Sequence, residues 1–319
     1  LATSSQPPIR IGTRASKLAL VQAGLMQRRI AQALGRGAAD AEGVAPLVHI
    51  TTSGDRIQDR RLLEVGGKGL FTKEIEEALL AGRIDCAVHS LKDMPAELPA
   101  GLCIGAIPER EDPRDAFISP TATRLADLAH GARLGVASSL RRQAQALSQR
   151  PDLKIVLLRG NVDTRLAKLD RGEADAIVLA LAGLKRLGLA GRAASIMDPV
   201  AFPPAPGQGA LAIETREADR DALWVAALRD RPATLAVAAE RGALSALEGS
   251  CRTAIGAYAH LDGARLALIV EALTPDGARR FRREGEVDLG SSDAEIAARA
   301  LGVRLGEAIR AEAGDALDL

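Results

Sequence analysis

The sequence predicts an α/β protein with two domains of alternating strands and helices, followed by a smaller C-terminal α+β domain. Three observations predict it. Short apolar runs alternate with amphipathic stretches through the first two thirds of the chain, the pattern of open sheets covered by helices. The segment FPPAPGQGALAIET (202–215), with three prolines and two glycines before an apolar run, interrupts that alternation, so the chain crosses back and adds a strand to the first domain. From about residue 228 the pattern changes to an Ala-rich helix, two long apolar strands and a final helix. At about 150 residues per domain, 319 residues make two or three domains. The divisions expected are 1–110 with 204–227, then 111–203, then 228–319.

The first domain opens with strand-like IRIGT (9–13), a helix near 16–34 and a second strand in LVHITTS (47–53). After the glycine-rich VGGKGLF (65–71), Thr72 can cap the helix TKEIEEALLA, which is acidic in its first turn and stops at Gly82. IDCAVHS (84–90) is the next strand, and IPEREDPRDAF (107–117) reads as a crossing between domains. In the second domain, strands in LGVAS (134–138), KIVLL (154–158) and DAIVLAL (175–181) alternate with helices over 139–149 and 161–171. In the third, a loop around Cys251 precedes IGAYAHL (255–261) and RLALIVEAL (265–273), with a helix from Ser292.

Composition excludes several function classes. The chain is 47% apolar and 26% charged, a globular balance, and no apolar run reaches the ~18 residues of a spanning helix, so no membrane partner is expected. Nothing in LATSSQPPIRIGT reads as a secretory signal, and the expected location is cytoplasmic. Four Phe, one Trp and one Tyr are too few for a stacking platform for single-stranded nucleic acid. Net charge is +1, yet residues 1–210 carry 28 basic against 22 acidic groups and the remainder 14 against 19. So small an excess predicts local anion pockets rather than a nucleic-acid surface. The three cysteines form neither a disulfide framework nor a CxxC motif, and His49, His89, His130 and His260 lack ligand spacing, so no metal is expected.

The strongest chemical signal is ASSLRRQAQALSQR (137–150), in which Ser138 or Ser139 caps a helix with Arg141 and Arg142 in its first turn. A helix N-terminus already carries the positive dipole end and free N–H groups, so two guanidinium groups there call for an anion. The pattern recurs in LLRGNVDTRLAKL (157–169), where Arg159 ends a strand, Asn161 or Asp163 caps a helix and Arg165 lies in its first turn. Arg10, Arg14 and Ser16 flank the first strand and helix. Strand ends facing helix N-termini are where open α/β sheets bind ligands, and arginine forks match carboxylates or phosphates. VHSLKDMP (88–95) adds Ser90, Lys92 and Asp93 at another strand end. Asp93 is the leading carboxylate for N–H groups or a cationic intermediate, the alternative being a turn residue before Pro95. Gly66, Gly67 and Gly69 around Lys68 suit a flap or a turn, since a phosphate loop would need Ser or Thr after the lysine. Gly207-Gln208-Gly209 precedes its strand, which argues against a dinucleotide fold. Cys86 and Cys103 read as core residues, whereas Cys251, in a loop beside Arg252, reads as a reachable thiol. These residues alone also suit a solute-binding protein for a polycarboxylate.

The chain resembles the porphobilinogen deaminase (hydroxymethylbilane synthase) family over nearly its whole length. The resemblance is carried by RIGTRASKLAL (10–20), VGGKGLFTKE (65–74), AVHSLKDMP (87–95), EREDPRDAF (109–117), SSLRRQAQ (138–145), LRGNVDTRLAKLD (158–170), LAGLKRLG (181–188), PGQGAL (206–211) and LEGSCRTAIGAY (247–258). It departs from the family pattern at Lys17, where Pro is common, at Ala137, where Thr is common, and at Ser250, where Gly is common.

The resemblance implies two lobes like those of type II periplasmic binding proteins with the active site in the cleft between them, and a third domain. It implies a dipyrromethane cofactor held by a thioether to Cys251, on which four porphobilinogen molecules are joined head to tail. Each loses ammonia to give an azafulvene, and water finally releases hydroxymethylbilane. By similarity Asp93 is the catalytic carboxylate and contacts the pyrrole N–H groups. Cofactor contacts fall to Lys68, Ser90, Lys92, Ser138, Ser139, Arg141, Arg142 and Arg165. Substrate contacts fall to Arg10, Arg14, Ser16, Arg159, Arg186 and Gln208. A monomer is implied, its product passing to uroporphyrinogen III synthase.

Overall fold

The computed structural model describes residues 7–56, 71–247, 253–290 and 293–317. They form two compact units. The first comprises the described residues up to 110 together with 210–231, and the second comprises 111–209 with the described residues from 232.

In the first unit, β1 (Ile11–Thr13), α1 (Lys17–Ala33), β2 (Leu47–His49), α2 (Lys73–Leu80), β3 (Cys86–Ser90) and β4 (Leu102–Ala106) follow the predicted alternation. The sheet order is β2-β1-β3-β10-β4, where β10 (Leu211–Arg216) is the returning strand. β1, β2 and β3 are parallel, and β10 runs antiparallel to β3 and β4, with Leu211 opposite Ser90. The crossing back read from the prolines and glycines of 202–215 is therefore present. α1 buries Ala23, Met26 and Ile30 against Ile11, Val88 and Ile213. α2 buries Ile75 and Leu79 against Ile84, Ala87 and Leu102. Each of the Met, Ile, Leu and Val side chains contributes about 1.5–3 kcal/mol on burial, and covering both faces is why the central strands read as continuous apolar runs. Thr72 precedes α2, but its side chain makes no capping bond; its carbonyl instead accepts from the amides of Ile75 and Glu76.

The second unit repeats the arrangement. β5 (Asp115–Ile118), β6 (Arg133–Val136), α3 (Leu140–Gln149), β7 (Lys154–Leu157), α4 (Val162–Asp170), β8 (Ala176–Ala180), α5 (Leu181–Arg186) and β9 (Ser195–Ile196) build a sheet of order β7-β6-β8-β5-β9. β6, β7 and β8 are parallel, and β5 is antiparallel to β8 and β9, so β5 takes the place that β10 has in the first sheet. A parallel βαβαβ core with one antiparallel strand inserted before the edge is the type II periplasmic-binding-protein lobe that the resemblance implies.

The same unit holds a three-stranded antiparallel sheet, β11 (Ala254–Asp262), β12 (Arg265–Leu273) and β13 (Arg280–Asp288), covered by α6 (Arg231–Ala246) and α7 (Ala294–Ala313). β13, RFRREGEVD, has no counterpart in the sequence reading: it is a charged edge strand whose pattern is exposed at alternate positions from Glu284. Leu266, Leu268 and Val270 pack on Leu301 and Ile309. Gly302 lets the two helices touch, since a Cβ there would lie 1.9 Å from the Ala239 carbonyl. α3 packs on β11 and β12 through Ala144, Ala254 and Leu273. No helix among the described residues is long and apolar enough to cross a membrane.

Candidate active site

In the first unit, two parallel strands deliver the predicted groups to one sheet end. β1 ends at Thr13, so Arg14 and Ser16 follow directly, and Ser16 caps α1 by accepting from the Ala19 amide at 3.3 Å. β3 ends at Ser90, and a single 3-10 turn, Leu91–Asp93, carries Lys92 and Asp93. Arg14, Ser16, Gln22, Phe71, Ser90 and Asp93 line one pocket. The Arg14 Nε atom donates to both Asp55 oxygens at 3.0 and 3.2 Å, Nη2 also meets Asp55, and the guanidinium carbon stands 4.1 Å from the Phe71 ring centre. Burial alone would raise the Asp55 carboxyl, and hydrogen bonds from Arg14 and Thr52 reverse that and hold it below its usual range. Ser90 Oγ accepts from Gln22 Nε2 at 2.9 Å. Asp93 is exposed and Lys92 half-buried.

In the second unit, Ser139 is the cap of α3, accepting from the Arg142 amide at 3.4 Å, while Ser138 is exposed beside it. Arg141 and Arg142 are buried, and both hold one carboxylate of the protein itself. Arg141 Nη1 donates to Asp115 Oδ2 at 2.7 Å, and Arg142 Nη2 to Asp115 Oδ1 at 2.7 Å. Gln208, fully buried, donates to the same Oδ1 at 2.9 Å and accepts from Arg142 at 3.2 Å. Gln145 extends the network, accepting from Arg141 at 2.9 Å and donating to Glu271 at 2.6 Å. Burial alone would raise the Asp115 carboxyl, but the charges of Arg141 and Arg142 hold it far below its usual range. The anion called for at this helix start is thus supplied in the first instance by Asp115. Arg141 Nε is buried with no hydrogen-bond partner among the described residues, which leaves one donor unspent.

Two of the remaining predicted groups stand where β7 passes into α4. Arg159 follows β7, and Arg165 lies in the first turn of α4, donating to the Gly160 carbonyl at 2.8 Å. Asn161, not Asp163, caps that helix. Arg186 ends α5 and donates to the Gly209 carbonyl at 2.7 Å; burial lowers its pKa. Arg10 stands apart. It precedes β1, at the opposite sheet end from Arg14, and binds Asp85 with Nε and Nη2, both at 2.9 Å. A strand's two ends face opposite edges of the sheet, so Arg10 does not join the pocket. Lys68 and Cys251 lie outside the described residues.

Sequence reasoning missed Asp55, Asp115 and the buried pair of His89 Nε2 and Glu214 Oε2 at 2.9 Å. Only Asp115 left a signal, an acid opening the apolar run DAFI, where an unpaired charge would be costly. The two cysteines read as core residues differ in degree. Cys86 is fully buried, its thiol pushed up by burial, while Cys103 is partly buried with Sγ 3.6 Å from the Thr215 hydroxyl.

Comparison with known proteins gives two family matches. A model described as the porphobilinogen deaminase, dipyromethane cofactor binding domain covers residues 9–223, and one described as the porphobilinogen deaminase C-terminal domain covers residues 234–311. The porphobilinogen deaminase of Caulobacter sp. (strain K31) is 70% identical over 316 residues, 99% of each chain. That of Phenylobacterium zucineum (strain HLK1) is 67% identical over 319 residues, again 99% of each. Among solved structures, a nutrient binding protein from Burkholderia cenocepacia bound to methionine aligns at TM-score 0.42 and 18% identity, over 69% of this chain and 89% of that one.

Proposed function

Because the chain belongs to the porphobilinogen deaminase family, we propose that Asp93 is its catalytic carboxylate and Cys251 the thioether anchor of its dipyrromethane. The chain is a transferase that joins porphobilinogen units with release of ammonia on a dipyrromethane primer and yields hydroxymethylbilane. The alternative of a solute-binding protein falls away, because the family match extends over residues 234–311, a domain that such a receptor does not need.

The described residues suit a group bearing several carboxylates. Asp115 already sits between two guanidinium groups as a carboxylate would, and the unpartnered Nε of Arg141 is a further buried donor beside it. Ser138, Ser139, Arg141, Arg142 and Arg165, with Ser90, Lys92 and Lys68, hold the acetate and propionate groups of the primer. Arg14, Ser16, Arg159, Arg186 and Gln208 hold those of the incoming substrate. When bound, the primer supplies the free pyrrole α-carbon that acts as nucleophile. Asp93, exposed at the pocket rim, accepts hydrogen bonds from pyrrole N–H groups and stabilises the positive charge that develops as ammonia leaves the substrate. Arg10 has no part in this set. The three-domain division, a monomeric state, a cytoplasmic location and transfer of the product to uroporphyrinogen III synthase complete the proposal.

The observation that carries the reading is the pair of family matches over almost the whole chain. Intact mass of the natively purified protein tests it: a dipyrrole adduct mapped to the Cys251 peptide is expected, with discrete further additions on exposure to porphobilinogen. Cys251→Ser should carry no covalent pyrrole. An adduct persisting in that variant would sink the anchor assignment.

A further inference from the structure

The pocket of the first unit has two walls on different elements. Phe71 and Thr72 lead into α2, while Ser90 ends β3 and Asp93 lies in the turn that follows it. Beneath them lies a titratable cluster that the chemistry above does not use. The His89 and Glu214 side chains are 6% and 0% exposed, with Nε2 and Oε2 2.9 Å apart. The register explains the pair: Ala212 lies opposite His89 and Glu214 opposite Ala87, so the two side chains are diagonal neighbours on one face. α2 packs on that sheet and contributes Glu76, 8% exposed. Among the described residues neither Glu76 nor Glu214 pairs with an arginine or lysine, and Glu214 Oε1 is buried without a hydrogen-bond partner.

Two carboxyl groups and one imidazole share this buried space, where a second carboxylate charge beside the first is costly. Burial raises the Glu76 carboxyl and the charge of Glu214 raises it further, while the Thr72 side chain and His89 oppose this. The charged groups acting on Glu76 come from β3 (His89), β10 (Glu214) and its own helix (Glu77); β3 also carries the buried Cys86, β10 carries Arg216, whose Nη1 donates to the Leu79 carbonyl of α2 at 2.9 Å, and β1 and β4 carry no charged residue and only Cys103 as a titratable one. A carboxyl raised in the folded state contributes its stability fully below its ordinary value and loses it as pH rises through the raised one. Loss of that proton sets like charges between α2 and the sheet.

We propose that His89, Glu76 and Glu214 are positioning residues for the polymerisation: a buried proton-sharing cluster that holds α2 against β3 and β10 and so sets the spacing of the two pocket walls. The proposal rests on the family reading, in which Ser90 and Asp93 act on the pyrroles.

The test is kcat and KM for porphobilinogen across pH in wild type, Glu76→Gln, His89→Gln and the double variant, with thermal unfolding of the same samples. Glu76→Gln keeps the size of a protonated carboxyl but cannot ionise. It should stay within about threefold of wild type at the optimum and move the alkaline fall of kcat/KM up by about one pH unit. His89→Gln removes the imidazole whose Nε2 stands 2.9 Å from Glu214 Oε2 and should raise KM by about tenfold, and adding Glu76→Gln should recover part of that loss, a non-additive response. A Glu76→Gln profile superimposed on that of wild type, a change in unfolding alone, or additive effects would each overturn the proposal. If His89→Gln does not fold, the Glu76→Gln profile decides by itself. A wild-type protein that carries no pyrrole and consumes no porphobilinogen would overturn the family reading instead, and this is seen before any variant is made.

Discussion

Arg142 grips Asp115 with two nitrogens, Nη2 at 2.7 Å and Nε at 3.2 Å from the same carboxylate oxygen, and neither side chain is more than 9% exposed. Arg141 holds the other oxygen, so two cations adjacent in sequence share one buried anion and the trio keeps a net positive charge. That surplus suits a ligand carboxylate, and the hydrogen bonds fix both guanidinium groups before any ligand arrives.

Asp115→Asn should destabilise the protein by about 3–5 kcal/mol, because two buried cations would lose their shared counter-ion. Chemical denaturation measures it. The Asp115 carboxyl lies below its ordinary value in the folded state, so its contribution is present above that value and is lost as pH falls through the folded one. Wild type should therefore lose stability on acidification more steeply than the Asn variant.

Asp93→Ala removes an exposed carboxylate from a turn. Stability should change by no more than about 0.5 kcal/mol. Turnover of porphobilinogen should fall by about a hundredfold or more. Near-normal turnover would remove Asp93 from the catalytic role.

Arg10→Ala breaks the ion pair with Asp85 at the sheet end away from the pocket. A pair this exposed contributes about 0–1 kcal/mol. Activity should stay within about twofold of wild type, since Arg10 lies at the sheet end away from the pocket. A large rise in KM with normal stability would restore Arg10 to the substrate set.

Gly209→Ala places a side chain at φ +87°, with its Cβ 2.2 Å from the Glu111 carbonyl. The left-handed backbone and the clash together should cost more than about 2 kcal/mol. Because Arg186 donates to the Gly209 carbonyl, the surviving fraction should also bind substrate less well. Unfolding midpoints and KM measured on one preparation separate the two effects.

The strand and helix alternation, the return of β10 and the positions of the helix starts were legible in the chain, because periodicity and helix starts are local properties. Of the alternatives offered by the sequence, Ser139 and Asn161 cap their helices, whereas Thr72 makes no capping bond with its side chain, and the long motifs identify the family without a coordinate. Partners were not legible. Asp115 is 26 residues from Arg141, His89 is 125 from Glu214, and nothing in a local window couples such positions. Arg10 and Arg14 look equivalent in sequence, flanking one short strand, yet they face opposite sheet edges, and only one reaches the pocket. The sequence by itself determined which residues carry charge at strand ends and which family chemistry they serve. Only the tertiary structure decided which charges neutralise one another, because that depends on which distant strands the fold brings side by side and how far it removes them from water.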